Sequence, residues 1–286
     1  MCIFSGHVED VNSTNIFARV SGNVEYLAYS MNVAAEMDVA MILPIPAVLP
    51  DKTNLINNIG SSGYTLSKDG IIFLDLSDYP ELFKDLESPF QVTTREFDNL
   101  SFSASKGVLA VEQVGDYICT FVPTNNDWDR IDPQFKLSND TWAKLNYQEN
   151  YSFVVVQLNI IEKFPKMNVL GKSNRVKPSA RVEKKKFHPI AFIFETQFPN
   201  WIYFPTTHVH DGQVHDREEF NHNFYFQSLE IKKPHEAGFE KSGSTAGAFV
   251  NIAKAKGLVE PNQLILKSTM NGTFPNLDTW VIPAEY

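Results

Sequence analysis

Short runs of β-branched and aromatic residues, interrupted by Gly, Asn, Asp and Pro, recur along the chain and predict strands more often than helices. Near the start, strands are predicted over residues 15–20, 25–33 and 38–46. Ser21-Gly22-Asn23 separates the first two strands, and because these residues tolerate positive φ, a hairpin is expected there. Further strands are predicted over 70–76, 107–122, 151–161, 189–196, 201–210, from 213 onward, over 222–232 and over 262–268.

Helix start and stop signals are fewer. Ser77 or Asp78 is suited to cap a short helix that ends at Leu86. A second helix is predicted to begin at 138–140 and to end at Leu145. A third is predicted over 246–256, stopping at Gly257. The chain is therefore expected to be α+β, a strand-rich single domain over 1–286 with largely antiparallel sheets and a few short helices.

Composition narrows the class of protein. The 286 residues are 43% apolar and 21% charged, which is typical of a soluble globular chain with a full core. The net charge of −9 argues against nucleic acid and against an anionic membrane as partners. The chain opens without a basic and apolar leader pattern, and the stretch 39–49 is too short to span a bilayer, so a cytoplasmic location is expected. Cys2 and Cys119 are interpreted as free thiols.

One segment has a different charge from the rest. Residues 163–186 contain nine Lys or Arg and a single acid, Glu183, and are predicted to be a basic loop inserted between two strands. One interpretation is a solvated loop that packs on an acidic neighbour. The other is a partner site, through which the chain forms a homo-oligomer or binds an acidic ligand.

Four of the seven histidines fall between residues 208 and 222. Asp211-Gly212 between two alternating runs predicts a two-residue hairpin turn. In that hairpin His208 faces His215, and His210 projects on the same side, so three imidazoles converge.

Three converging imidazoles indicate a metal site, with zinc expected ahead of iron. An open coordination position would supply activated water, so a metal-dependent hydrolase acting on a small-molecule or peptide-like substrate is the first functional hypothesis. The predicted ligands are His208, His210 and His215, joined by Asp211 or His222, and the predicted catalytic acids or bases are Asp216 and Glu218. The alternative is a solvated hairpin whose histidines bind water and one another.

Cys2 suggests a second hypothesis. Removal of Met1 would leave an α-amino group beside the thiol, a combination that acts as nucleophile and base together. The start, with Cys2 followed by Arg19 on the next strand, resembles the N-terminal-nucleophile amidohydrolases related to bile-salt and penicillin V acylases. That resemblance implies a nucleophilic Cys2 and an Arg19 that assists substrate or oxyanion binding, but Ser21-Gly22-Asn23 stands where those enzymes have an aspartate. The alternative is a Cys2 thiol buried in a first strand.

Over most of its length the chain resembles a family of uncharacterised bacterial proteins. The segments that carry this resemblance are Met1–Ser5, Asn15–Arg19, Tyr29–Met31, Met41–Pro46, Val114–Asp116 and Phe204–Gly212. It implies a single shared domain and brings no activity with it. A non-enzymatic binding or assembly protein, acting through an acidic body and the basic loop, is therefore a third hypothesis.

Overall fold

The computed structural model describes residues 3–49, 58–59, 64–65, 70–91, 111–145, 147, 150–158, 185–231 and 234–283. Within these ranges the chain is rich in strands, its sheets are mostly antiparallel, and its two α-helices are short, which confirms the predicted α+β class. No helix in these ranges is long and apolar enough to cross a membrane. The basic loop 163–186 lies outside the described residues except for Lys185–Lys186.

The strands are numbered in chain order. They are β1 (Ile3–Phe4), β2 (Asp10–Ser21), β3 (Val24–Ala34), β4 (Val39–Ile45), β5 (Asn58–Ile59), β6 (Tyr64–Thr65), β7 (Ile71–Asp75), β8 (Val111–Val114), β9 (Tyr117–Val122), β10 (Ser152–Leu158), β11 (Lys185–Lys186), β12 (Ile190–Glu195), β13 (Ile202–Phe204), β14 (Arg217–Gln227), β15 (Glu240–Thr245), β16 (Leu264–Pro275) and β17 (Thr279–Val281). The helices are α1 (Leu82–Glu87) and α2 (Asn139–Lys144), with 3₁₀ turns over Ser88–Phe90, Asn125–Arg130, Pro133–Phe135 and Ala246–Ala248.

Two sheets form the framework. The first has the order β1-β4-β10-β9-β8, and the second has the order β15-β16-β14-β2-β3-β12-β7 with β11 beside β3. Among the described strands β14 and β2 run parallel, whereas the other neighbours in these two sheets are antiparallel. Short ribbons pair β13 with β17 and β5 with β6.

The two sheets bury a shared apolar core between them. Because side chains alternate along a strand, Met41 and Leu43 of β4 join Ile16 and Ala18 of β2 in that core. On its other face the second sheet packs against α1 and the segment 246–259. The first sheet packs on its other face against α2 and the turns that precede it. The core is thus layered, with both faces of each sheet covered over much of their area.

Several strand predictions are confirmed, including the β2–β3 hairpin, in which Gly22 has a φ of 62°. The prediction of one strand over 107–122 is wrong for the described part. Instead β8 and β9 form a hairpin whose turn contains Gly115 at φ 59°. The prediction of a strand over 201–210 is also wrong beyond Phe204, because the side chains of Asn276 and Asp278, which follow β16, bind the backbone of 206–208 in place of a neighbouring strand.

Some of the helix predictions are likewise confirmed and others are wrong. Ser138 caps α2 by accepting a hydrogen bond from the Thr141 N–H, as predicted. The first helix begins at Leu82, later than predicted. The prediction of a helix over 246–256 is wrong: only a 3₁₀ turn over Ala246–Ala248 forms, followed by irregular turns. Competing contacts explain this, since the Asn251 N–H donates to the Tyr79 hydroxyl and the Asn251 side chain accepts from the Lys254 N–H.

Candidate functional site: a buried histidine column

Residues 207–210 and 213–216 do not pair as strands, so the predicted Asp211-Gly212 hairpin is wrong. Val209 instead forms a parallel bridge with Ile3 of β1, and the Phe4 N–H donates to the Val209 carbonyl at 3.0 Å. The Val8 N–H donates to the next carbonyl along the segment, that of His210, at 2.9 Å. The turn at Gly212 does form, with a φ of 80°. The N-terminal strand thus occupies the backbone groups that a hairpin partner would have used.

Three imidazoles lie in a row, which we call the histidine column: His210, His208 and His222. The ring centroid of His208 lies 5.2 Å from that of His210 and 5.3 Å from that of His222. Phe220 packs against His208 with a centroid distance of 4.2 Å. His208 and His222 are fully buried, whereas His210 is partly exposed and forms the outer end of the column.

The elements of both sheets position the column. His222 belongs to β14 and is in register with Thr14 of β2. It stacks on Phe224, two residues along the same face, and that ring is part of the core between the sheets. At the other end His210 contacts the ring of Phe4 of β1 at 5.7 Å. The column therefore spans from the first strand of one sheet to a central strand of the other.

Burial keeps these imidazoles neutral. It lowers the pKa of His208 and of His222 far below the ordinary histidine value, and it lowers the pKa of His210 to about 4. The repulsion between neighbouring imidazolium charges adds to the effect. A neutral imidazole carries one nitrogen lone pair, so each ring can accept a proton or a hydrogen bond.

Several polar atoms of the column lack a hydrogen-bond partner within the described part of the chain. They are both ring nitrogens of His208 and the Nε2 of His210, together with the hydroxyl oxygen of Thr14, a fully buried residue in register with His222. An unsatisfied buried polar group costs about 1–3 kcal/mol, and such groups are few in native proteins. This cluster therefore calls for a functional explanation.

The other predicted site residues lie elsewhere. His215 is exposed and binds Asp211 at 3.0 Å, a contact that raises the pKa of His215 and lowers that of Asp211. Asp216 is exposed, and Glu218 precedes His222 by four residues along β14, a distance of roughly 13 Å. The predicted convergence of His215 on His208 and His210 is thus wrong, because it depended on the hairpin that does not form.

The column is not shaped as a metal centre. Lone pairs lie in the plane of an imidazole ring, and the ring of His208 is tilted by only 18° from that of His210 and 26° from that of His222. Within the ranges that the structure describes, no group of three or more His, Cys, Asp or Glu side chains is arranged to hold a metal ion.

Arg19 has a different environment from the one that the amidohydrolase resemblance implies. Its guanidinium donates to the carbonyls of Leu258 at 2.7 Å and Gly257 at 2.8 Å, and it lies 3.6 Å from the centre of the Tyr26 ring. It is five residues along β2 from Thr14, which is the position beside His222. Arg19 therefore secures the loop after the irregular turns and does not approach the column. Cys2 lies outside the described residues.

Sequence reasoning missed three residues around the column: Thr14, Asn276 and Asp278. Thr14 reads as an ordinary polar residue at a strand start, and only the parallel register with His222 reveals its position. Asn276 and Asp278 are separated from His208 by about seventy residues, and no local pattern links them to it.

Comparisons with known proteins give little further guidance. No family model matches the chain, and no curated protein matches it. A chain from the crystal structure of a caspase-8/P35 complex matches with a TM-score of 0.42 and 10% identity, covering 94% of this chain and 95% of that chain. A likeness at this level assigns neither fold nor function, so the functional argument depends on the chemistry of the column.

Proposed function

We propose that the protein is a cysteine-dependent hydrolase in which the Cys2 thiol is the nucleophile and His208 is its base. The observation that carries the proposal is the parallel bridge between Ile3 and Val209. Because both strands run in the same direction, we propose that Cys2, the residue before Ile3, lies beside His208, the residue before Val209. Consecutive Cα atoms are 3.80 Å apart, so the covalent bond to Ile3 limits how far Cys2 can be from His208.

The alternation of side chains supports the same pairing. Ile3 and Val209 belong to one apolar cluster on the outer face of the first sheet. Phe4 and His210 contact each other on the opposite face. With a period of two, His208 shares the face of His210, and an extended Cys2 would share the face of Phe4.

The chemistry requires a base that is neutral and has an available lone pair, and His208 meets both conditions. In the proposed reaction the imidazole takes the thiol proton while sulfur bonds to the carbonyl carbon of an ester or amide. The imidazolium then returns that proton to the departing alcohol or amine, which leaves a thioester on Cys2. Water attacks the thioester with the imidazole again as base, releasing a carboxylic acid and restoring the thiol.

The substrate class is therefore a small-molecule or peptide-like acyl ester or amide. Because His208 supplies the base, the reaction does not depend on a free α-amino group. This differs from the N-terminal-nucleophile scheme, and neither scheme receives support from the position of Arg19.

Acylation by p-nitrophenyl acetate tests the proposal. We expect a burst of nitrophenolate close to one per chain, with the acetyl group found on Cys2 by peptide mass spectrometry. Cys2→Ala removes the burst, and His208→Asn slows it by about 10²–10⁴-fold, the usual contribution of a general base. His215→Asn is the matched control, since His215 is an exposed histidine seven residues away, and it leaves the rate unchanged. A burst that survives Cys2→Ala or His208→Asn contradicts the proposal.

A second proposal, that the column binds a divalent transition metal such as zinc, has one observation in its favour. The unpartnered nitrogens of His208 and His210 are neutral imidazole donors, which zinc accepts. Binding would require the rings to rotate about their side-chain bonds. Elemental analysis of the purified protein beside the His208→Ala/His210→Ala variant tests it: about one metal per chain in the parent and none in the variant supports it, and no metal in the parent rejects it.

A further inference from the structure

The backbone of His208 is held by one side chain, that of Asn276. The His208 N–H donates to the Asn276 side-chain oxygen at 2.7 Å, and the Asn276 amide donates back to the His208 carbonyl at 3.0 Å. The same amide also donates to the carbonyl of His215 at 3.0 Å. Asn276 thus replaces the neighbouring strand that residues 206–208 lack.

The two residues before His208 are held by Asp278. Its Oδ1 accepts hydrogen bonds from the N–H groups of Thr206 and Thr207 and from the Thr207 hydroxyl, each at 2.9 Å. Its Oδ2 accepts from the hydroxyls of Tyr203 at 2.7 Å and Tyr147 at 3.1 Å. Five donors on one buried carboxylate make a rigid anchor.

The backbone and the ring of His208 differ in their hydrogen bonding. The backbone N–H and carbonyl are fully paired, whereas both ring nitrogens lack a partner among the described residues. The ring is held instead by packing against Phe220 and the other two imidazoles. Its direction therefore depends on the backbone position that Asn276 and Asp278 set.

We propose that Asn276 and Asp278 are positioning residues that fix the backbone of 206–208 and so set the direction of the His208 ring within the column. This inference rests on the proposed function for its catalytic meaning. A misplacement of about 1 Å costs about 10²-fold in rate in a site of this kind, so the loss of one anchor is expected to be visible in acylation.

The test variant is Asn276→Ala, and Gln227→Ala is its matched control. Gln227 is a buried amide on β14 that binds both backbone groups of one residue, Glu260, at 2.8 Å each, just as Asn276 binds His208. Both changes remove a similar pair of hydrogen bonds, and Asn276→Ala also removes the bond to the His215 carbonyl, so both are expected to lower the melting temperature. Only Asn276→Ala is expected to lower the acylation rate, by about 10²-fold, and to move the ¹⁵N chemical shifts of the His208 ring.

A conservative variant separates the effect of the Asp278 hydrogen bonds on backbone position from the effect of the Asp278 charge. Asp278→Asn keeps an oxygen for the groups that bind Oδ1, and its amide can donate to the Tyr203 oxygen, since the Tyr203 proton has an alternative acceptor in the Pro44 carbonyl. We expect this variant to retain the parent ring shifts and most of the acylation rate, whereas Asp278→Ala loses both.

The outcomes distinguish this inference from the proposed function. If Asn276→Ala and Gln227→Ala have equal acylation rates and unchanged His208 ring shifts, the positioning role is overturned. If the parent shows no burst, the proposed function fails, and the ring shifts alone then decide whether Asn276 sets the direction of the His208 ring.

Discussion

At the residue scale, the buried ring of His208 costs free energy as long as nothing binds its two nitrogens. A fully buried imidazole with both nitrogens unpartnered loses its hydration without a compensating hydrogen bond. Apolar side chains of similar size would fill the same space at lower cost. The contact of His208 with two further imidazoles is therefore better explained by their chemistry than by packing.

The column predicts a loss of stability in acid. The pKa values of His208, His210 and His222 are lowered in the folded state, so below the ordinary value of 6.5 the unfolded chain binds protons that the folded chain does not. The free energy of unfolding should fall as pH drops below about 6.5, by about 1.4 kcal/mol per pH unit for each histidine. Urea unfolding between pH 7.5 and 5 measures this slope.

His208→Phe is the informative variant for that slope, because it removes one titrating ring from the column and keeps an aromatic side chain. The slope of unfolding free energy against pH should decrease by the contribution of one histidine. His215→Phe, on the exposed loop, should not decrease it, since the pKa of His215 is raised rather than lowered. An equal slope in His208→Phe and the parent would mean that the column does not exclude protons.

The buried carboxyl of Glu25 is expected to have the opposite effect on the pH dependence of stability. Its carboxyl is fully buried, and although it accepts a hydrogen bond from the Tyr203 N–H, burial raises its pKa well above the usual value. The folded chain then binds a proton that the unfolded chain releases, so stability falls as pH rises from about 4.5 through the raised pKa. Glu25→Gln should unfold at higher urea than the parent at pH 8, and this advantage should shrink towards pH 5.

A Glu25→Gln variant whose difference from the parent is the same at pH 5 and pH 8 would show that Glu25 does not titrate above its ordinary range.

At the element scale, the β8–β9 turn joins the first sheet to the start of β12. The Asp116 N–H donates to the Nε2 of His188 at 3.0 Å, and the Tyr117 hydroxyl donates to the His188 carbonyl. The ring of Tyr117 also packs on that of His188, with centroids 4.4 Å apart. This turn therefore depends on close approach of the backbone at Gly115.

Gly115→Ala should be strongly destabilising. Its φ of 59° disfavours any other residue, and an added Cβ would overlap the His188 ring and the Ser77 side chain. Gly22→Ala is the matched control, with a similar φ of 62° and open space around the added carbon. We expect about 1 kcal/mol for Gly22→Ala and at least twice that for Gly115→Ala, measured by urea unfolding. Equal losses would show that steric overlap at Gly115 is relieved without cost.

Arg19→Lys separates the structural role of this residue from the catalytic one that the amidohydrolase resemblance implies. Lysine cannot reproduce the fork that binds two carbonyls and stacks on Tyr26. The variant should lose stability, by about 1–3 kcal/mol, while its acylation rate by p-nitrophenyl acetate stays that of the parent. A large loss of acylation in a folded Arg19→Lys variant would restore the catalytic interpretation.

The sequence could predict an element when the residues that stabilise it lie a few positions away, and could not when those residues are distant in the chain. The β2–β3 hairpin and the Ser138 cap follow from residues a few positions apart, and both are confirmed. The Asp211-Gly212 hairpin has an equally strong local signal, but β1 competes for the same backbone groups from two hundred residues away. Similarly, the helix predicted over 246–256 does not form, because the Tyr79 hydroxyl binds the Asn251 N–H.

At the scale of the whole molecule, the candidate site is assembled from the two ends of the chain. β1 comes from the beginning, Asn276 and Asp278 come from near the end of the described residues, and the column lies between them. The histidines themselves were predictable from their density in the sequence. The set of histidines that lie together was not predictable. His222 contacts His208 because the two sheets pack together, whereas the side chain of His215 binds Asp211 instead.

The most direct measurement is the pH dependence of Cys2 alkylation by iodoacetamide. The other cysteine of the chain, Cys119, is buried and its pKa is raised, so modification reports on Cys2. The account predicts that Cys2 of the parent reacts faster than an ordinary thiol between pH 6 and pH 8, because neutral His208 accepts the thiol proton during alkylation, and that His208→Asn gives the ordinary thiol dependence, with a midpoint at about 8.5. His215→Asn should match the parent. If the parent already follows the ordinary thiol curve, and His208→Asn leaves it unchanged, Cys2 and His208 do not act together.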